Sequence, residues 1–239
     1  MSREADLDRF YDLLRALDGV LDGSRRLRNC TGHMNWPERG VYLFFSPAET
    51  RGDDQPRLTR IGTHAVSTGS GTSLWNRLRA HRGINSGTFA GGGNHRGSVF
   101  RKRVGEAICE RDGLQTVYPK WGEGSSAERE IRLKETGLER RVTDFIGGLP
   151  VLWLDVDDEP GPESDRAYIE RNAIALVSNY RSEPLDMRAG DWLGSHSPIH
   201  EIRRSGLWNI DHVDESYDPA FLDALEARIE AIGSDGNQG

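Results

Sequence analysis

The chain has 239 residues, of which 36% are hydrophobic and 29% are charged, and its formal net charge is −7 at pH 7. Its longest apolar runs, VYLFF at 41–45 and AIALV at 173–177, are too short to cross a bilayer, and the first residues lack the pattern of a secretory signal. Its two cysteines, Cys30 and Cys109, provide no disulfide framework. We therefore expect a soluble, cytoplasmic protein with one core domain and extensions.

The first part of the chain predicts one helix and a β-hairpin. Apolar residues spaced three and four apart favour an amphipathic helix over 4–22, which is a candidate contact for a homodimer. The segment GVYLFFSP at 40–47 predicts a strand, and RLTRIGTHAV at 57–66 predicts a second one. The turn-forming residues at 49–56 would connect the two strands.

The middle of the chain predicts two helices separated by flexible segments. The loop STGSGTS at 67–73 would cap a helix that contains the stretch SLWNRLRAHRG, residues 73–83. The glycine-rich loop 83–98 leads to a second helix over 98–111, whose first turn is basic. Because cations oppose the helix dipole at that end, a bound phosphate would relieve the repulsion.

The remaining elements complete a small α/β arrangement. A helical stretch is predicted near 126–136, a strand that is buried on both faces at 149–156, and a helix at 165–179. A final helix is predicted near 219–232. The order β-β-α-α-β-α predicts a three-stranded, mainly antiparallel sheet that is flanked by helices.

Positive charge is concentrated in one third of the sequence. From Gln55 to Gly105 there is no Asp or Glu, but there are nine Arg and Lys residues. Such segregation is typical of a site for a polyanion, although a solvated arginine-rich face is the alternative. The residues expected to contact a phosphate backbone are Arg79, Arg82, Arg96, Arg101, Lys102 and Arg103.

A glutamate lies within the apolar stripe of the helix predicted at 165–179. Glu170 occurs beside Ile169, Ala173 and Ile174, which we expect to face the core. Burying a carboxylate is costly unless it is paired or coordinated. Glu170 is therefore either the partner of an arginine on a neighbouring helix or a ligand of a divalent cation such as Mg²⁺.

Four short motifs follow one another in the predicted elements. They are GVY at 40–42, RIG at 60–62, LWNRLRAH at 74–81 and YIERNAIALVSN at 168–179. In this order and spacing the chain resembles the GIY-YIG nuclease family over roughly residues 38–180. The resemblance implies a GIY-YIG type fold and a metal-dependent endonuclease that cleaves DNA.

The resemblance also implies a division of the chain and roles for its residues. An N-terminal helix and linker (1–35) would precede the nuclease domain (36–182) and a C-terminal extension (183–239). Tyr42 and His81 would assist the attack of water, and Arg77 would neutralise the phosphate. The other residues that the resemblance assigns are Glu170 as the single ligand of Mg²⁺ or Mn²⁺, Gly40 and Gly62 as motif glycines, and Asn179 as a late asparagine, with Asn172 and Asn209 as alternatives.

Phosphodiester hydrolysis needs these residue types for physical reasons. An arginine fork binds two phosphate oxygens and stays cationic, and a metal on a carboxylate polarises the phosphate. Tyrosine is a weak base, so nearby cations are needed to favour its ionised form.

One position departs from the family pattern, because Arg60 replaces the second motif tyrosine. Either Arg60 adds a phosphate contact or the chain has lost catalysis and is a nucleic-acid-binding module.

His64 is a second candidate for proton handling, although a surface position is the alternative. A further hypothesis for the whole chain is a protein-interaction domain. The segment 190–213 is rich in Trp, His and Arg, and we expect it either to contact bases or to form a buried cap.

Overall fold

A four-stranded antiparallel sheet forms the centre of the described structure, a computed structural model that covers residues 2–51 and 55–235. The strands are β1 (Arg25–Arg26), β2 (Gly40–Thr50), β3 (Pro56–Gly62) and β4 (Pro150–Asp155), in the order β1-β4-β2-β3. The predicted fold class, a small antiparallel sheet flanked by helices, is confirmed. The edge strand β1 was not predicted, since two exposed arginines carry no periodicity.

Seven α-helices occur within this part of the chain. They are α1 (Arg3–Val20), α2 (Leu74–Arg82), α3 (Val99–Asp112), α4 (Arg129–Gly148), α5 (Asp165–Val177), α6 (His200–Ser205) and α7 (Phe221–Asp235). Helix α4 is longer than the stretch predicted near 126–136. Its buried residues Leu138, Val142 and Ile146 continue one apolar face toward its C-terminus.

The sheet separates two hydrophobic cores, because successive residues of β2 point to opposite faces. Val41, Leu43 and Phe45 face a core that α1, α5 and α7 cover. Tyr42 and Phe44 face the other core, which α2, α3 and α4 cover. The alternation therefore places the motif tyrosine on the same face as the arginine–histidine helix α2.

Both ends of the chain pack into these cores. The apolar face of α1 lies against α5 and α7, so the surface that suggested a homodimer is covered within the chain. Trp192 and Trp208 are buried in the second core, which makes these parts of the segment 190–213 a cap. Residues 52–54, at the tip of the predicted hairpin connection, lie outside the described residues.

Two further sequence expectations concern cysteines and membranes. Cys30 and Cys109 are both buried and form no disulfide. Among the helices described for residues 2–51 and 55–235, none is both long enough and apolar enough to span a membrane.

Candidate active site

The register of the hairpin places Tyr42 opposite Gly62. A Cβ atom at position 62 would lie 2.2 Å from both Cζ and Oη of Tyr42, so only glycine allows the ring to lie across β3. Gly40 has a related role, since its Cβ would lie 2.2 Å from the carbonyl oxygen of Leu154. The two motif glycines therefore permit close contact around the tyrosine.

Tyr42 begins a chain of hydrogen bonds that crosses the second core. Its Oη lies 3.0 Å from Nε2 of His81, and Nδ1 of His81 lies 2.8 Å from Oγ of Ser98. Tyr42 and His81 are both fully buried. Ser98 also caps α3 by accepting the N–H of Arg101 at 3.2 Å. The cap thus fixes the histidine ring, a role for Ser98 that the sequence analysis missed.

The environment of His81 keeps its imidazole neutral. Burial lowers the pKa of His81 well below its usual value, and the charges of Arg77, Arg60 and Arg101 lower it further. With the proton on Nδ1, the ring donates to Ser98 and its Nε2 accepts from Tyr42. In that tautomer Nε2 accepts the tyrosine hydroxyl, and negative charge beside the arginines, such as that of a phosphate, would favour protonation of the ring.

Two arginines lie near this pair without a carboxylate partner. The guanidinium of Arg60 stacks over Phe100 at 4.8 Å and donates to the carbonyl of Trp208 at 2.7 Å. The half-buried Arg77 side chain has no hydrogen-bond partner among the described residues, and the buried Nε atoms of both arginines are unpartnered. Neither guanidinium is in an ion pair within residues 2–51 and 55–235. The two guanidinium groups therefore have N–H donors that no carboxylate of the described residues satisfies, and that of Arg77 is the more exposed of the two.

Glu170 approaches Arg60 and Arg77 from the helices on the opposite side of the sheet. Its helix α5 covers the first core, and its Oε1 accepts the N–H of Thr63 at 3.0 Å, just beyond the end of β3. Burial raises the pKa of Glu170, while Arg60, the Thr63 N–H, His212 and Arg77 oppose that rise. Arg60 and Arg77 therefore influence both Glu170 and His81.

The carboxylate of Glu170 is not locked in an ion pair. No salt bridge to it occurs in the described part of the chain, so the expected alternative of an arginine partner on a neighbouring helix is not realised there. The residue is half-buried, and the hydrogen bond from Thr63 engages Oε1 and leaves Oε2 without a partner among those residues. One oxygen therefore fixes the group and the other is free for a ligand.

This donor set is compatible with a hard divalent cation that is bound together with a phosphate. No group of three or more His, Cys, Asp or Glu side chains that could hold a metal occurs in the described ranges. Mg²⁺ commonly rests on one or two carboxylates and completes its shell with water and substrate oxygens. The nearby arginines repel a cation, but a phosphate between them would offset that repulsion.

His64 is buried beside the cluster, so the expectation of a surface position is wrong. Its Nε2 lies 3.2 Å from the carbonyl of Glu38, and its Nδ1 has no partner. Burial lowers the pKa of His64 to about 4, and the charge of Arg77 contributes to that shift. His64 is consequently neutral at physiological pH.

The residues expected to contact a phosphate backbone differ in their accessibility. Arg79 is exposed on α2, whereas Arg82 donates to the carbonyl of Cys30 and lies over the ring of Trp75. Lys102 donates to the carbonyl of Gly122, and Arg103 is paired with Glu106. Arg79 and the partly exposed Lys102 and Arg103 remain near the surface.

Arg96 and Arg101 lie inside the protein, and the expectation that they contact phosphates is wrong. Arg96 makes two bonds to Glu135, at 2.6 and 2.9 Å, and its side chain is 2% exposed. Arg101 is fully buried, pairs with Glu139 at 2.5 Å and donates to the carbonyl of His81 at 2.9 Å. Glu135 and Glu139 of α4 therefore neutralise Arg96 and Arg101, so these two arginines need no phosphate partner.

The three candidate asparagines occupy different places. Asn179 bonds the carbonyl of Asp186 at 2.8 Å, and Asn172 bonds the carbonyl of Tyr168 at 2.8 Å. Asn209 bonds both backbone groups of Ile61, at 3.2 and 2.8 Å. Only Asn209 of these three binds the edge of β3 next to the motif glycine.

Comparisons with known proteins identify the family of the chain. A family model described as a GIY-YIG domain matches residues 1–234. Over 82 residues the chain is 33% identical to a protein of Opitutus terrae named a pre-16S rRNA nuclease, a match that covers 34% of this chain. The match spans only about half of that relative, 50% of its length. No solved structure matches the chain.

Proposed function

The chain belongs to the GIY-YIG domain family, and from this premise we propose that it is an endonuclease that hydrolyses phosphodiester bonds of DNA. The observation that supports the proposal best is that Arg77 lies one turn before His81 on α2, while Arg60 lies three residues before the Thr63 N–H that holds Glu170. Arg60 and Arg77 affect the pKa of both His81 and Glu170. A phosphate at this position would meet a cationic pair, a proton acceptor and a metal ligand.

The arginines would stabilise the charge that develops on the phosphate. Attack by water places extra negative charge on the phosphoryl oxygens, and preorganised donors aimed at that charge lower the barrier. Arg77 has a free guanidinium for this purpose. Arg60 is held by Trp208 and Phe100, so it loses little conformational entropy on binding.

The Tyr42–His81 pair would accept the proton of the attacking water. Neutral His81 takes the hydroxyl proton of Tyr42, and the tyrosine oxygen takes a proton from the water as the new O–P bond forms. Ser98 holds the other ring nitrogen, which keeps the imidazole in the orientation that this transfer requires. The leaving oxygen departs as the old P–O bond breaks and is protonated from solvent.

The carboxylate of Glu170 would hold Mg²⁺ or Mn²⁺, which when bound supplies Lewis-acid stabilisation of the phosphate and the leaving oxygen. Thr63 orients the carboxylate through its backbone N–H. In this proposal Arg60 would contact the phosphate in the position of the second motif tyrosine, and proton transfer would be left to Tyr42 and His81.

The proposed substrate is DNA, and RNA is the comparison substrate because the relative from Opitutus terrae is named for an rRNA. We propose a cytoplasmic location, in agreement with two buried cysteines that form no disulfide. A homodimer is not part of the proposal, since the apolar face of α1 is buried within the chain.

The substitution Glu170→Gln tests the proposal with little change in shape, because an amide oxygen can still accept the Thr63 N–H. We expect cleavage of labelled DNA with Mg²⁺ or Mn²⁺ to fall by roughly 10²-fold or more, since a metal contributes several kcal/mol of transition-state stabilisation. DNA affinity should be retained. Glu163→Gln, at an exposed glutamate, is the matched control and should cleave normally.

The alternative function, a binding module without catalysis, makes a different prediction. Wild-type protein would then bind DNA but release no product with either metal or with an RNA substrate. That result would overturn the nuclease proposal, as would a Glu170→Gln variant that cleaves as fast as the wild type.

A further inference from the structure

A second cationic site lies in the C-terminal segment, away from the cluster described above. Arg188, Arg203 and Arg204 line a cavity of about 360 Å³. The other lining residues are uncharged: Asn179, Ser182, Pro184, Met187 and Gly206. Three cations without an acid in the lining are unusual in a protein whose net charge is −7. We refer to this cavity as the arginine pocket.

The guanidinium groups of the arginine pocket are positioned by neutral acceptors. Arg188 donates to Oγ of Ser195 at 2.9 Å, and Arg204 donates to the carbonyl of Tyr180 at 3.2 Å. Arg203 donates to the carbonyl of Ser197. None of the three forms an ion pair within residues 2–51 and 55–235. Each guanidinium therefore lacks a carboxylate partner in this part of the chain and has N–H groups left over.

The acid that lies closest to Arg188 in sequence does not neutralise it. Asp186 lies two positions before Arg188, but its carboxylate accepts the hydroxyl of Tyr11 at 2.7 Å and is buried. The charge that affects it most is that of Arg57, which is itself paired with Glu49 at 3.0 Å. Asp186 therefore does not compensate the arginine pocket, and Glu201 of α6 forms no ion pair with Arg203 or Arg204 in the described ranges.

The arginine pocket and the Glu170 cluster lie at opposite ends of the same strand. Arg57 donates to the carbonyl of Gly206 at 2.8 Å, and the N–H of Trp208 donates to the carbonyl of Thr59 at 2.8 Å. From Arg57 to Thr63 the chain advances six positions, which corresponds to roughly 20 Å at about 3.3 Å per residue. A phosphate in the pocket is therefore not the phosphate that reacts.

We propose that the arginine pocket binds a second phosphate of the nucleic-acid strand that is held at the Glu170 cluster, an inference that rests on the proposed nuclease function. Arginine forks match phosphate oxygens and carry no base preference. The arginine pocket would add affinity and fix the position of the bound strand, and hydrolysis would occur at the Glu170 cluster.

The test is the salt dependence of DNA binding by the full chain with Arg188→Gln and Arg204→Gln combined. Both side chains are exposed, so folding should be retained, which circular dichroism checks. The slope of log K against log salt is negative, and its magnitude is about 0.9 per neutralised duplex phosphate, so we expect the loss of this one phosphate contact to reduce the magnitude by about 0.9. The matched control combines Arg15→Gln and Arg228→Gln, which remove the same charge from ion-paired arginines on α1 and α7.

The possible outcomes separate this inference from the nuclease proposal. A slope that is unchanged, or that falls equally in the control, overturns the role of the arginine pocket even if the protein cleaves DNA. A slope that depends on Arg188 and Arg204 in a protein that never cleaves supports the pocket and overturns the nuclease. Absence of DNA binding at low salt overturns both.

Discussion

Replacing Tyr42 with phenylalanine removes one oxygen atom and leaves the ring in its packing position. The Tyr42 ring lies 5.6 Å from Phe44 and 5.4 Å from His81, measured between centroids, in edge contacts that phenylalanine preserves. Gly62 leaves room for the ring in either case. The variant therefore tests the hydroxyl group alone.

The cost in stability follows from the burial of His81. Loss of the 3.0 Å contact leaves Nε2 without a partner in a fully buried ring. An unsatisfied buried polar group costs about 1–3 kcal/mol, and each kcal/mol lowers Tm by roughly 2–4 °C in a protein of this size. If Tyr42 handles the proton of the attacking water, cleavage should also fall by roughly 10²–10⁴-fold.

Urea unfolding monitored by tryptophan fluorescence measures the first effect, and initial rates of DNA cleavage measure the second. The control is Tyr168→Phe, which removes an exposed hydroxyl that donates to Asp218 at 2.8 Å. It should change the free energy of unfolding by less than about 1 kcal/mol and leave the rate unaltered. A Tyr42→Phe protein that cleaves at the wild-type rate would refute the assigned role of the hydroxyl.

Three further predictions concern the surroundings of this pair. Gly62→Ala should displace the Tyr42 ring, cost about 1–3 kcal/mol in urea unfolding and reduce cleavage as Tyr42→Phe does; normal activity would contradict the packing argument. Because the pKa of His81 is held well below its usual value, the unfolded chain binds more protons below about pH 6.5, and the free energy of unfolding should decrease as the pH falls. In His81→Gln the free energy of unfolding should depend less on pH. If the wild type and this variant give parallel curves of unfolding free energy against pH, His81 is not the cause of the dependence. Arg101→Gln should cost about 3–5 kcal/mol because Glu139 loses its buried partner; loss of DNA affinity at unchanged stability would instead restore Arg101 as a surface contact.

The elements that carry the site could be predicted because their local signals agree with their tertiary environment. The alternation in β2 and the apolar spacing of α2 and α5 place Tyr42, His81 and Glu170 on the observed elements. The resemblance supplied their order along the chain. None of these signals indicated that Glu170 reaches the edge of β3 from the opposite layer, since that depends on how the helices pack.

The charge pattern predicted the site least well, because acids that are distant in sequence from the basic stretch contact its arginines in the fold. The acid-free stretch from Gln55 to Gly105 suggested cations that await a polyanion, yet Glu135 and Glu139 of α4 neutralise two of them. The signal that drew attention to Glu170 also applies to Glu139, which adjoins the buried Leu138 on an amphipathic helix. Applied to Glu139 as it was to Glu170, this signal predicts a buried carboxylate that pairs with an arginine distant in sequence.

The central claim is that one phosphodiester is bound between Arg77 and the Glu170 carboxylate, within reach of Tyr42. A crystal structure with Mn²⁺ and a DNA duplex that resists hydrolysis tests it most directly, since the anomalous signal locates the metal. We expect one Mn²⁺ on Glu170, with a backbone phosphate bridging the metal and the guanidinium of Arg77. A phosphate bound elsewhere, with no metal at Glu170, would contradict the claim.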